Sequence, residues 1–304
     1  MDDAAVLTPP EGADLVVKTD AIIGGVHFFL DDPAAAVARK ALRVNLSDLA
    51  AKGADPAGFL LTLALPATID DQWLSNFAKG LGEDADEYNC PLLGGDTDRT
   101  PGPITISITA FGFLPRGAMV RRHGARAGDR VVVTGTIGDA ALGLHLRRDA
   151  QASARWGLEE SARAHLLSRY LVPQPRSAIA AALRSHAAAA MDVSDGLAGD
   201  LGKLCAASGV SADIEIARVP LSPAARRALA AAPDLRETIL AGGDDYEVLV
   251  AVAPAKLEAF AAQCANAGVS VTDIGCMTAR VGPPRFLDGD GRAVMLKRVS
   301  FSHF

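Results

Sequence analysis

Six times in this chain an apolar run gives out at an aspartate set among glycine, serine, threonine or alanine: MDDAAV, KTDA, NLSDLAAKGA, LLGGDTDR, MDVSDGLAGD and LAGGDDYEV. Carboxylates repel one another unless something cationic sits between them. Small flanking residues open turn conformations and leave backbone N–H groups accessible, so such loops can hold hard metal ions and phosphate oxygens together. A fold that contains this set has to place polar turns at the ends of buried elements.

Between these points, apolar β-rich runs alternate with longer Ala/Leu-rich segments of helical period, the pattern of mixed α and β layers. The spacing predicts strands at 15–19 and 58–65 and helices at 33–53 and 70–88. The long alternation ITISITAFGFL at 104–114 reads as a half-buried, antiparallel strand. Pro115-Arg116-Gly117 interrupts the pattern, which then restarts with a buried strand at 130–134, a turn at Gly135–Gly138 and a helix at 139–148. Helices follow near 159–171 and 175–185, then a strand into Met191, a helix from Asp195, strands at 212–216 and 246–253, a helix at 254–266 and closing strands. A length of 304 residues suits two domains, here 1–116 and 117–304.

Thirty Lys and Arg against 36 Asp and Glu, with the basic residues scattered, argue against a nucleic-acid partner. Cys90, Cys205, Cys264 and Cys276 lie too far apart for a zinc or thiol redox motif and read as small hydrophobes in a reducing cytoplasm. No basic signal-like start and no unbroken apolar stretch suggest a membrane partner, so the expected location is cytoplasmic.

Each acidic loop also has a plain reading. Asp3 and Asp20 suit caps or turns. Asp48 suits a surface ion pair with Lys52, one turn along, yet its neighbours Leu46, Leu49 and Ala50 place it beside a packed surface where a carboxylate needs a partner. Gly94-Gly95-Asp96 suits a β-turn as well as a backbone that approaches a ligand closely. Asp195 suits a helix N-cap, which leaves Asp192 and Ser194 unexplained at a strand end, the usual place for ligand groups. His27 reads as an ordinary histidine with no zinc partners nearby. Clustered carboxylates and hydroxyls without soft ligands point to Mg²⁺, and Mg²⁺ commonly bridges protein carboxylates to substrate phosphates. Phosphoryl transfer needs such positioning and charge neutralisation, with no covalent nucleophile and no general base when the acceptor is itself a phosphate.

The ordered set DDAAV, TD, GVHF, NLSDLAAKGADP, GGDTDR, TGTIGDAALGL, DVSDGLAGDL and GGDDYEVL resembles the thiamine-monophosphate kinases, in the superfamily of aminoimidazole ribonucleotide synthetase and selenophosphate synthetase. The resemblance implies a mixed α/β (α+β) fold of two domains. The N-terminal one would be a half-barrel sheet with helices that dimerises with a second copy, and the C-terminal one an α/β domain. It implies ATP-dependent phosphorylation of thiamine phosphate to thiamine diphosphate by direct in-line attack. It further implies several Mg²⁺ ions on Asp3, Thr19, Asp20, Asp48, Asp96, Asp192 and Asp195, ATP on Gly95, Asp96, Arg122 and Ser194, and thiamine phosphate on His27 and Asp244.

The chain departs from that pattern at several points. Met1 stands where the family has a glycine, with a helical segment expected upstream, which would leave Asp3 on a frayed end. Lys18 replaces a small hydroxyl residue, Asp244 replaces glutamate, and Arg298 falls where an aromatic would stack on thiamine, with Phe301 as its nearby substitute. Another ATP-using member of the superfamily and a non-catalytic thiamine-phosphate or nucleotide-binding protein are the competing readings. No reactive cysteine favours the selenophosphate or hydrogenase-maturation relatives.

Overall fold

Period-two and helical patterning sort the first half of the chain into one sheet and two helices. The computed structural model describes residues 4–300. Its first unit runs to Met119 and takes in Leu171–Ser177. In order it contains β1 (Ala13–Ile23), α1 (Ala34–Ala51), β2 (Asp55–Leu65), α2 (Asp71–Glu87), β3 (Leu92–Arg99) and β4 (Thr105–Pro115). The sheet order is β1-β4-β2-β3, with β4 antiparallel to both neighbours and β3 parallel to β2. The predicted antiparallel strand at 104–114 is therefore the central β4.

Alternation along β4 decides which face is covered. Ile106, Ile108, Ala110 and Leu114 are buried, together with Ile22 of β1 and Leu61 and Leu63 of β2, and α1 packs on β1 and β4. Leu15, Val17 and Leu60 stay exposed on the opposite, open face. The helices start and stop where their ends supply hydrogen bonds. Asp70 caps α2 by accepting from Trp73 N at 2.8 Å, and Gly53, at φ +72°, lets Ala54 N reach back to Leu49 O at the end of α1.

The segment Gly94–Arg99, expected as a loop, is instead part of the edge strand β3. Gly95 is required by that pairing, because a Cβ there would lie 1.9 Å from Leu61 O of β2. The close approach at Gly95 is to the neighbouring strand.

A buried ion pair ties the helices together. Arg43 of α1 donates to Asp84 of α2 through Nε (2.6 Å) and Nη2 (2.7 Å). Its Nη1 donates to Pro173 O at 3.2 Å, which fastens the 171–177 segment to the same unit.

The second unit comprises Val120–Tyr170 and the chain from Ala178. It contains β5 (Arg130–Thr134), α3 (Asp139–Arg148), α4 (Ala152–Arg155), α5 (Glu160–Leu171), α6 (Ala180–His186), β6 (Ala187–Val193), α7 (Leu197–Ser208), β7 (Ser211–Glu215), α8 (Pro223–Ala231), α9 (Leu235–Ala241), β8 (Glu247–Val252), α10 (Leu257–Asn266), β9 (Val271–Thr278), β10 (Arg285–Leu287) and β11 (Ala293–Val294). These strands form one sheet, β11-β10-β7-β9-β5-β8-β6, antiparallel except at β7 and β10. Strands β5, β6 and β8 are almost wholly buried, so their apolar runs are continuous instead of alternating. The helix expected at 175–185 is shorter, because a 3₁₀ turn at Ser177–Ile179 precedes α6. Helices α8 and α9 had no clear signal in the Ala-rich sequence, although Ser222 followed by Pro223 is a cap signature that α8 uses.

Replacing Arg43 by Met would leave Asp84, which is 1% exposed, with only the longer contact of Arg39 at 3.7 Å. Removing one member of a buried pair costs about 3–5 kcal/mol, and a fall of that size in unfolding free energy is expected from urea titration. A loss below about 1 kcal/mol, the range of surface pairs, would show that the pair does not hold α1 to α2.

Candidate active site

In the first unit the acidic motifs meet through a lysine. Lys18 and Asp20 lie two apart on β1 and so share its covered face, beside α1. Lys18 Nζ is 2.8 Å from Asp48 of α1 and 3.2 Å from Asp20. Burial pulls the Lys18 ammonium down, yet Asp48 and Asp20 outweigh it and hold it above the ordinary lysine value. Asp48 thus reaches a strand thirty positions earlier in sequence, a partner its helical period could not reveal.

The other residues implicated in this half are placed differently. Thr19 is on the opposite face of β1 from Asp20, where its hydroxyl donates to Ile108 O and accepts from Thr109 Oγ1, both at 3.1 Å. Asp96 pairs in register with Thr62 of β2, Thr62 with Ser107 of β4, and Ser107 in turn with Ala21 of β1. That register puts Asp96 on the open face, three strands from β1 and so roughly 14 Å across the sheet. Asp20 and Asp48 are brought together; Thr19 and Asp96 are not among them. His27, in the turn after β1, accepts from Ile23 N through Nδ1 at 3.0 Å, which leaves the proton of the neutral ring on Nε2. Asp3 and Phe301 lie outside the described residues.

In the second unit two motifs are stitched to each other. Asp192 and Val193 close the buried β6, and Ser194 and Asp195 follow before α7 begins. Asp244 N donates to Ser194 O and Tyr246 N to Val193 O, both at 2.8 Å. Asp244 and Tyr246 adopt positive φ (+70° and +50°) to make this turn, an uncommon conformation for such residues. The result holds Asp192, Ser194, Asp195 and Asp244 at one end of β6 and β8. Asp195 is not the helix cap, because Gly196 takes that position. Its side chain pairs with Lys203, which also contacts Asp200 at 2.8 Å, and Asp200 accepts from Asp195 N at 2.8 Å. Arg122 is exposed on the segment before β5, and Arg121 O accepts from Ala190 N of β6 at 2.9 Å.

Asp245, beside Asp244, turns the opposite way. It is fully buried and accepts from Gly138 N through both oxygens, at 2.9 and 3.0 Å, which locks the β5–α3 turn. Glu247 beneath it is bonded by Arg169 (2.9 Å) and Thr134 (2.7 Å). Burial drives the Asp245 carboxyl well above the usual range, against the Gly138 N–H. The adjacent acids thus divide, Asp245 being committed to the fold while Asp244 stays at the strand ends beside Ser194.

Among the described residues no three His, Cys, Asp or Glu side chains converge. Mg²⁺ needs no such cage, since it retains waters and is held by one or two carboxylates with phosphates. The Asp20–Asp48 pair fits that mode, with an ammonium standing where a cation would.

Two family models match the chain: AIR synthase related protein, N-terminal domain, over residues 1–114, and AIR synthase related protein, C-terminal domain, over residues 126–284. Fold and site together define a two-domain protein of this AIR synthase-related class. The chain is 43% identical over 300 residues to the thiamine-monophosphate kinase of Caulobacter vibrioides, covering 98% of this chain and 80% of the relative. It superposes on the thiamine-monophosphate kinase of Stenotrophomonas maltophilia with a TM-score of 0.87 at 38% identity, covering 96% and 90% of the two chains. The structure of AaThiL complexed with AMPPCP and TMP gives a TM-score of 0.83 at 30% identity, covering 97% and 89%. The chain belongs to the thiamine-monophosphate kinase family.

The Asp245 carboxyl makes a prediction with a definite sign. A group whose folded pKa is raised contributes stability that is fully present below its unfolded value, 3.8, and is lost as pH rises through the folded pKa. Asp245→Asn should therefore lose less stability than the parent between acid and neutral pH, measured by urea midpoints. An equal loss in both proteins would mean that Asp245 does not resist ionisation.

Proposed function

We propose that this protein transfers the γ-phosphoryl group of ATP to thiamine monophosphate, giving thiamine diphosphate and ADP, in the cytoplasm. Family membership over nearly the whole chain supports this reading, as does the AaThiL relative with AMPPCP and TMP bound. The observation that carries it is the Asp20–Asp48 pair with a cation between its carboxylates. Two anions must meet in this reaction, and the barrier is mainly electrostatic.

Mg²⁺, when bound, would neutralise phosphate oxygens and the charge that develops on the leaving group. Asp20, Asp48, Asp192 and Asp195 are the proposed carboxylates for Mg²⁺, with Thr19, Asp96 and Asp3 completing the set. Gly95, Asp96, Arg122 and Ser194 are assigned to ATP. The Arg122 guanidinium, always charged, answers phosphate charge. His27, Asp244 and Phe301 are assigned to thiamine monophosphate. The Nε2 proton of His27 suits a phosphate oxygen, and the Asp244 carboxylate suits the cationic thiazolium. No residue need remove a proton, because a phosphate monoester with a second pKa of about 6 is already ionised at neutral pH.

A homodimer formed through the open face of the N-terminal sheet belongs to the same proposal. Leu15 (40%), Val17 (56%) and Leu60 (38%) are exposed there, and a self-complementary apolar face suits a second copy related by two-fold symmetry.

Incubation with Mg-ATP and thiamine monophosphate, followed by chromatography, should yield thiamine diphosphate and ADP in equal amounts. ATP consumption without thiamine diphosphate would reject the assignment. Asp48→Asn should lower kcat by about 10²-fold or more with little change in Tm; parallel loss of fold and activity would make Asp48 structural. Val17→Asp should shift the dimer to monomer in sedimentation equilibrium, and an unchanged mass would place the interface elsewhere.

A further inference from the structure

We propose that Lys18 is a resident counter-ion that holds the Asp20–Asp48 pair together in the metal-free protein and competes with the divalent ion for it. The proposal rests on the reading of Asp20 and Asp48 as metal ligands. Its basis is the position of one atom: Lys18 Nζ lies within ion-pair distance of both carboxylates at once, 3.2 Å and 2.8 Å. A monovalent ammonium facing two carboxylates leaves one negative charge over, whereas a divalent ion in its place balances both. The exchange therefore favours the metal, but only after the lysine contacts have been broken.

The side chain is built for such release. Its stem lies against the covered face of β1 opposite Ala110 of β4, while the side chain retains 30% exposure, so the ammonium can rotate towards water on a flexible four-carbon chain. Without it, Asp20 on β1 and Asp48 on α1 would face each other as like charges across the contact between strand and helix. Lys18 thus keeps strand and helix in register when no metal is bound, at the expense of metal affinity. The second unit repeats the motif, with Lys203 between Asp195 and Asp200.

The test uses the whole protein and Mn²⁺ alone as probe, with free metal followed by electron paramagnetic resonance. Lys18→Met, which keeps the stem and removes the charge, should bind Mn²⁺ about tenfold more tightly than the parent, the scale of one partly exposed ion pair. Its melting temperature should fall without metal and rise more on adding Mn²⁺ than that of the parent. Lys18→Gln serves in the same way if the Met variant does not fold. Asp48→Asn is the control and should weaken binding. Unchanged or weaker binding in the Lys18 variants, with Asp48→Asn impaired, overturns the role of Lys18 and leaves the metal site standing. Equal binding by parent and Asp48→Asn rejects the site itself, and the competition with it.

Discussion

A carboxylate that leaves water has to find a cation or a hydrogen-bond donor, and this requirement organises both units. The acids near the chain's polar turns meet it in two ways. Asp84, Asp245 and Glu247 are buried and fully committed, to Arg43, to the Gly138 N–H, and to Arg169 with Thr134. Asp20, Asp48 and Asp195 are partly exposed and are held by lysines whose ammonium groups also touch solvent. Guanidinium and backbone donors fix geometry because their bonds are directional, whereas an ammonium on a flexible stem is a point charge that can move. Acids bound in the first way carry the fold, and the partly exposed ones bound in the second are those proposed to meet a ligand.

How much of this could be read from sequence depended on whether the deciding contact was local. The elements around β4 were legible because alternation over eleven residues has one period and one buried face. The DVSD and GGDDYE motifs were legible as strand ends, since a buried apolar run stops at each. The Lys18–Asp48 contact was not, because it joins residues thirty apart, and the local pattern of Asp48 suggests an i, i+4 helix pair with Lys52 instead. Asp245 did leave a signal that was missed. Two adjacent acids entering a buried strand cannot both face solvent when side chains alternate, so one of them had to be an interior group with a dedicated donor.

The same alternation bears on the N-terminal residues singled out for metal and nucleotide. Thr19 and Asp20 are consecutive on β1, so their side chains cannot share a face, and Gly95, next to Asp96 on β3, has no side chain to bring to a ligand. Register places Asp20 on the covered face and Thr19 and Asp96 on the open one. The open face is also where Leu15, Val17 and Leu60 lie exposed, and where a second copy is proposed to pack. If Asp96 and Thr19 serve the reaction through their side chains, they do so from the face that association would cover. The proposed dimer and the proposed nucleotide contacts then depend on one another. An apolar sheet face carrying hydrophilic groups at one end is what such a double use requires, because the aliphatic part supplies the association energy and the acidic edge remains next to solvent for a charged ligand.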